Sequence, residues 1–367
     1  MYFDIDSKFE EYFHRRLKQV FLYLTGECNL RCKYCLYKPN LTFHLKEKEI
    51  PLEVAIRLIS DFKELGASKL TIMGGEPTLY GISQGWKPLL KLIKESKELG
   101  YEYVRIDTNG MFESSLLYKK EFKMLDEITF SIDSHELNIN DIVRGEGSFN
   151  KCVLNIRLAV NLGYHVDITA CVHKLNAGRD IDGELLLHKL ILFAESLGVK
   201  RINFHPIFKM GVPRDTWIGD LDIQPEEWLK IFREIQHKID DNEYKIIVRI
   251  PQRFVTKDEF NNEPEYYGYC PVKLGERVLV HPDGIIRICA LMIGSPYGVA
   301  RFYDNKIVWD ESNTNETINH KLNESTPCAN QRRNFGKYLP LCISFKPRQE
   351  EIIWKEKLKW EEKRKNV

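Results

Sequence analysis

Four helical segments in this sequence stop at the same dipeptide, Leu65-Gly66, Leu99-Gly100, Leu162-Gly163 and Leu197-Gly198, and a strand-like run follows each within a few residues. A helix stopped by glycine and followed by an extended apolar run is one βα unit. The strand candidates are Val20 to Thr25, Leu70 to Met73, Tyr103 to Asp107, Ile128 to Asp133, His165 to Val172 and Arg201 to Pro206. Six strands alternating with helices predict an α/β fold with a parallel sheet, right-handed crossovers and helices outside. Six units are too few to close an eight-unit barrel. A partial (β/α)6 TIM-like barrel and a doubly wound sheet are both consistent with the pattern.

The first strand candidate runs into Cys28-Asn-Leu-Arg-Cys32-Lys-Tyr-Cys35, which puts three thiols on one tight loop. Three cysteines within eight residues reach three corners of a [4Fe-4S] cluster and leave the fourth iron open to a non-protein ligand. The competing reading is zinc, which wants four ligands in short pairs. The nearest further ligand, His44, lies nine residues on.

The spacing C-x3-C-x2-C, with Tyr34 as the aromatic before the last cysteine, resembles the radical S-adenosylmethionine (SAM) enzymes. The resemblance implies that SAM sits on the open iron and is split by an electron from the cluster into methionine and a 5′-deoxyadenosyl radical. It also implies an open barrel of six βα units, in agreement with the strand count.

Ligands in parallel α/β architectures gather at the C-terminal ends of the strands. The second strand ends in Gly74-Gly75-Glu76-Pro77, where glycines allow close backbone approach and a carboxylate can take an ammonium. By resemblance this is the motif that holds SAM's methionyl amino group. The third strand ends in Asp107-Thr-Asn109-Gly and the fourth in Ser131-Ile-Asp133-Ser134, polar where a plain core would stay apolar. By resemblance Asn109, Ser131 and Asp133 join the SAM site, and Arg144 matches the arginine of the following loop. On plain structural grounds Asp107 and Ser134 would form turns or caps and Arg144 would be solvated.

Nine cysteines fall into the early triad, a late group of four, and two singles. Cys270 precedes a hairpin predicted over Arg277 to His281 and Ile285 to Ala290, turning at Pro282-Asp283-Gly284 and carrying Cys289 on its return. C-x13-G-x4-C resembles the opening of the SPASM and twitch domains of radical SAM enzymes, and Cys328 and Cys342 follow. Four thiols can ligate one auxiliary [4Fe-4S] cluster, with zinc as the alternative. The fold expectation is therefore a partial barrel with a small cysteine-rich twitch/SPASM-like subdomain. The segments are a lead-in helix over 1–19, the barrel over 20–210, a connecting helix and strand over 211–264, the auxiliary domain over 265–345 and a charged tail over 346–367.

Of the two single cysteines, Cys152 falls on a helix face with Phe149, Val153, Ile156 and Val160 and reads as packing. Cys171 shares a strand face with Asp167 and Thr169 near the expected mouth, and is the one candidate hydrogen donor to a substrate radical.

With 54 basic and 53 acidic residues, the net charge of +1 offers no global field for nucleic acid or an anionic membrane, so neither is expected as a partner. No run of about eighteen apolar residues exists, and Met1-Tyr-Phe-Asp-Ile-Asp is no basic leader, so a cytoplasmic protein is expected. The resemblance implies an external one-electron donor such as flavodoxin or ferredoxin. It further implies either a peptide substrate, to be epimerised, cross-linked or oxidised, or a small molecule such as an aminosugar, to be dehydrogenated or epimerised. A non-catalytic iron-sulfur or zinc protein is the reading from another class.

Overall fold

The computed structural model describes residues 3–35, 49–207, 221–250, 253–262, 275–289, 298–312 and 337–341. Cys270, Cys328, Cys342 and the tail over 346–367 lie outside the described residues, so the ligand sets assigned to them are carried forward only as expectations.

All six predicted strands form and pair in parallel, each with the next. They are β2 (Gln19–Tyr23), β3 (Lys69–Met73), β4 (Tyr103–Thr108), β5 (Glu127–Ser131), β6 (Val166–Val172) and β7 (Arg201–Pro206). The Leu-Gly stops behave as the sequence demands, with Gly66, Gly100, Gly163 and Gly198 all at positive φ between 79° and 110°.

The sheet does not end at six strands. β8 (Ile247–Arg249) adds a seventh parallel strand beside β7, so part of the segment expected as a connector belongs to the sheet. At the other edge β10 (Arg277–Val280) pairs in parallel with β2, Arg277 opposite Gln19 and Val280 opposite Leu22. β11 (Ile285–Arg287), β12 (Ala300–Tyr303) and β13 (Lys306–Trp309) follow antiparallel, and β1 (Asp4–Ile5) closes the order against β13. The predicted hairpin is thus present, but it continues the barrel sheet where a separate subdomain was expected. β9 (Arg253–Thr256) and β14 (Tyr338–Leu341) form a small second sheet.

The lead-in helix Ser7–Phe13 starts at Asp6, whose carboxylate accepts from Lys8 N, and it buries Phe9 and Phe13 completely. Phe9 meets Phe62 and Trp309 at ring distances of 6.2 Å, which seals the junction between the first βα unit and the hairpin strands. Among the described residues no helix is long and apolar enough to cross a membrane.

Strand alternation divides the sheet into two chemistries. Val20, Leu22, Leu70, Ile72, Val104, Ile106, Ile128, Phe130, Ile168 and Phe204 face the helices in one apolar core. The opposite face carries a buried ionic layer that crosses four strands. Glu127 on β5 accepts from Tyr103 and from Arg201 (3.0 Å) and lies 3.5 Å from Arg105. Arg201 also pairs with Asp167, which lies 3.0 Å from His165. Burial alone would push the Glu127 carboxyl up, but Arg201, Arg105 and His165 hold it well below the usual carboxylate range.

A carboxylate held low in the folded state contributes stability above its unfolded pKa of about 4.3, and loses that contribution as the pH falls towards the folded value. Glu127→Gln leaves the buried Arg201 and the half-buried Arg105 guanidiniums each short of a partner. It should cost about 3–5 kcal/mol at pH 7 and flatten the loss of stability below about pH 4. Urea denaturation between pH 3 and 7 checks this. An unchanged acid slope would show that the layer does not carry the pH dependence.

Candidate active site

The cysteine loop leaves β2 and is clamped from three sides. From β4, Asn109 Nδ2 reaches Cys28 Sγ (3.7 Å) and Asn29 Oδ1 (2.8 Å), while Asn29 Nδ2 donates to the Met111 carbonyl (2.7 Å). From the helix Leu137–Arg144, the Val143 carbonyl accepts from Lys33 N (2.8 Å), and the Arg144 carbonyl lies 3.8 Å from Cys32 Sγ. Within the loop Cys35 N donates to the Cys32 carbonyl (3.2 Å) and Leu30 N meets Cys28 Sγ (3.4 Å). Burial pushes the Cys28 thiol up to about 12 and raises Cys32, and the neighbouring thiols add to the Cys28 shift. Three thiols on one loop, Cys32 buried and Cys28 and Cys35 half-buried, suit a metal cluster that takes them as thiolates.

The third clamp is the Gly-Gly turn after β3. Gly75 N donates to the Thr25 carbonyl (2.6 Å) and Glu76 N to the Glu27 carbonyl (2.7 Å). A Cβ on Gly75 would stand 2.2 Å from the Glu27 oxygen, and one on Gly74 2.7 Å from the Thr25 oxygen. The glycines therefore admit the backbone of the cysteine loop itself, a different partner from the ligand that the sequence suggests. Glu76 is buried. Its Oε1 accepts from Thr78 N (3.0 Å), Thr78 Oγ1 (2.6 Å) and Thr108 Oγ1 (2.7 Å), its Oε2 from Asn109 N (2.7 Å). Pro77, also buried, starts the short turn that supplies Thr78.

Past β5, Asp133 is fully buried and gathers three parts of the site. Its Oδ2 accepts from the Tyr34 hydroxyl and from Arg144 Nη1 (3.2 Å), its Oδ1 from Cys171 N (2.7 Å). Arg144 Nη1 also donates to the Tyr34 oxygen (2.5 Å). Arg144 is thus buried and paired, which corrects the solvated alternative. Ser131 is half-buried on the polar face at the end of β5. Ser134 makes the turn expected of it, accepting from Glu136 N (3.0 Å). Asp107 does not cap a turn. It lies inside β4 and pairs with Arg105 (2.8 Å).

Cys171 packs with Tyr34 against Val143, Ile207 and Leu221, and burial pushes its thiol well up, so it stays protonated at neutral pH. Cys152 is buried in the core on the helix Ser148–Asn161, as expected, with Sγ 3.7 Å from the Ser131 carbonyl. Cys289 is half-buried just beyond β11.

Sequence reasoning misses Asn176, whose Nδ2 ties the Asp133 carbonyl (2.7 Å) to the Cys171 carbonyl (2.9 Å), and the neighbouring His173. Both lie just past the C-terminal end of β6, where the rule for parallel sheets would direct a search. It misses the ionic layer as well, where Glu127, His165 and Asp167 offer ligand atoms within 4.8 Å of one another. The guanidiniums of Arg201 and Arg105 already occupy the carboxylates there, leaving a cation nothing to neutralise.

Residues 22–182 match the model of the Radical SAM superfamily. The chain is 30% identical over 160 residues to GTP 3′,8-cyclase of Limosilactobacillus fermentum, covering 43% of this chain and 46% of that protein. It is 29% identical over 230 residues to molybdenum cofactor biosynthesis protein 1 of Drosophila melanogaster, covering 62% of this chain and 38% of that one. The match thus spans less than half of either relative. Among solved structures, Streptococcus suis SuiB bound to S-adenosylmethionine aligns with a TM-score of 0.60 at 17% identity, over 79% of this chain and 64% of that one. Native anSMEcpe with bound AdoMet aligns at 0.56 and 17%, over 77% of each chain. At these identities the two structures speak for the shared fold alone.

Because the Gly75 contact is with backbone that cannot rotate away, Gly75→Ala should displace the cysteine loop. The expected result is iron uptake reduced several-fold in a protein that still folds, read by iron analysis beside circular dichroism. Full iron loading would show that the loop tolerates the methyl group.

Proposed function

We propose that this radical SAM protein is an enzyme that binds a [4Fe-4S] cluster on Cys28, Cys32 and Cys35 and uses SAM to take a hydrogen atom from a polar substrate on the inner face of the sheet. The observation that carries the reading is the three-thiol loop, with Cys32 buried and Cys28 and Cys35 half-buried, locked to Asp133, Tyr34 and Arg144 at the strand ends. When bound, the reduced cluster would supply the electron that splits SAM into methionine and a 5′-deoxyadenosyl radical.

The chain's own groups fit that task. Arg144 offers charge for a carboxylate, Glu76 an Oε2 with one donor among the described residues for an ammonium, and Asn109 and Ser131 polar groups for a ribose. Gly74 and Pro77 hold the turn that aims Glu76.

A substrate would meet Arg105, Asp107, Thr169, Cys171 and His205, all half-buried on the polar face. A closed parallel barrel is normally plugged there by Val, Ile and Leu. The polar lining supports a small molecule rich in hydrogen-bonding groups, and the curated relatives named GTP 3′,8-cyclase support the same class. A second reading is modification of a peptide by epimerisation, cross-linking or oxidation. It is supported by fold likeness to SuiB, a structure also solved bound to the precursor peptide SuiA, with a TM-score of 0.62. In either case Cys171 is the candidate hydrogen donor, a flavodoxin or ferredoxin the candidate electron source, and Cys270, Cys289, Cys328 and Cys342 the candidate ligands of one auxiliary [4Fe-4S] cluster.

Anaerobically reconstituted protein given SAM and dithionite should form 5′-deoxyadenosine, and alanine at Cys28, Cys32 or Cys35 should abolish it. Normal cleavage by the triple mutant would sink the assignment and leave the non-catalytic reading. Iron analysis tests the late cysteines. About eight irons per chain, falling to about four with Cys270 and Cys289 replaced, fits two cubane clusters. Four irons in the wild type with stoichiometric zinc would make the late group a zinc site. Cys171→Ala should keep 5′-deoxyadenosine formation yet lose solvent deuterium from the product. Unchanged deuterium incorporation would reduce the thiol to packing.

A further inference from the structure

The side-chain amide of Asn109 has its orientation decided by a closed ring of hydrogen bonds. Its Oδ1 accepts from Met111 N (2.7 Å), its Nδ2 donates to Asn29 Oδ1 (2.8 Å), and Asn29 Nδ2 closes the ring on the Met111 carbonyl (2.7 Å). Exchanging the oxygen and nitrogen of Asn109 would set an N–H against the Met111 N–H and an oxygen against Asn29 Oδ1, so only one orientation is satisfied. The backbone is pinned as well, with Asn109 N donating to Glu76 Oε2 (2.7 Å). In that orientation the second hydrogen of Nδ2 meets Cys28 Sγ, 3.7 Å from the nitrogen.

A turn at this position needs only the oxygen. Asp or Ser would also accept from the backbone two residues on, so the Met111 contact does not account for an amide. What Asn adds is the nitrogen, held against the sulfur by a side chain that is 7% exposed. Cys28 Sγ meets a second N–H from Leu30 N (3.4 Å). A buried N–H aimed at a negative sulfur acts where screening by water is weak.

Iron-sulfur potentials follow the hydrogen bonds to the sulfurs, because an added electron makes the sulfurs more negative and a donor then binds them more strongly. We propose that Asn109 sets the reduction potential of the cluster held by Cys28, Cys32 and Cys35, its amide N–H raising the potential by stabilising the reduced state through Cys28 Sγ. The inference rests on the function proposed above and deepens it, since the electron that splits SAM must first be loaded onto that cluster. Asn109 Oδ1 has a second lone pair, which leaves room for the ribose contact proposed above.

The test is a redox titration of the reconstituted full chain. It is followed by electron paramagnetic resonance on the signal that changes when SAM is added, which separates this cluster from any second one. Asn109→Leu, of similar size with no donor, should shift the reduction equilibrium about tenfold towards the oxidised cluster, about 59 mV downward for one electron. Asn109→Asp keeps the acceptor for Met111 N and puts a charge where the donor was, so its potential should lie lower still. A leucine variant with wild-type iron content and a shift under about twofold overturns the proposal, as does an aspartate variant whose potential lies above the leucine one. Loss of iron with the remaining cluster at the wild-type potential marks a merely structural role and overturns it too. One measurement needs no variant. In wild type carrying labelled nitrogen only in its asparagine side-chain amides, pulsed resonance of the reduced cluster should show coupling to that nitrogen, and its absence overturns the proposal. A wild type that takes up no iron takes down the function proposed above and this inference with it, and iron analysis reads that outcome separately.

Discussion

One fully buried carboxylate, Asp133, decides how the cysteine loop meets the sheet. It receives a hydroxyl from the loop, a guanidinium from the next helix and an amide from the next strand, so three segments remote in sequence share one anion. A lone carboxylate in such surroundings would be strongly penalised, and its charge is tolerable only when all three donors arrive together. Tyr34 lies between Cys32 and Cys35. Fixing its hydroxyl therefore fixes the two sulfurs around it, and the geometry of the thiol triad is inherited from Asp133.

The same economy shapes the sheet. Strands of a parallel sheet buried on both faces usually read as continuous apolar runs. Here β4 to β7 alternate, with apolar side chains under the helices and Arg105, Glu127, Asp167 and Arg201 opposite. Glu127, Asp167 and Arg201 are buried, whereas Arg105, Asp107, Ser131, Thr169 and Cys171 stay half-open. The polar face is thus most buried at the level of Glu127, Asp167 and Arg201 and more open towards the strand ends, where the cysteine loop begins.

Local pattern made much of this legible. Period-two runs and glycine stops located the six parallel strands to within two residues, since strand faces and helix ends are encoded by adjacent residues. The three thiols and their clustering were equally local. What the sequence hid was non-local pairing. Nothing in Ile247–Arg249 announces that it extends the sheet beyond β7, or in Arg277–Val280 that it lies parallel to β2, because both pairings join segments far apart in sequence. Asp107 reads as a strand-end polar group until Arg105 is seen beside it. Arg144 reads as solvated until Asp133 is seen to need it. His173 was hidden for the opposite reason, since a histidine after a strand is unremarkable until its ring is found buried with no hydrogen-bond partner among the described residues.

The hairpin register bears on where a second redox group could stand. β10 runs with β2, so β11, antiparallel to it, runs back towards the start of β2, with Arg287 opposite Leu279. Cys289 lies two residues further on, level with the beginning of β2, whereas Cys28 lies beyond its end. Five strand residues at about 3.3 Å each put roughly 15 Å of sheet between the two levels. Any cluster held through Cys289 would thus stand towards the floor of the polar face and the cysteine loop at its mouth, with the half-open residues of β4 to β7 at intermediate height.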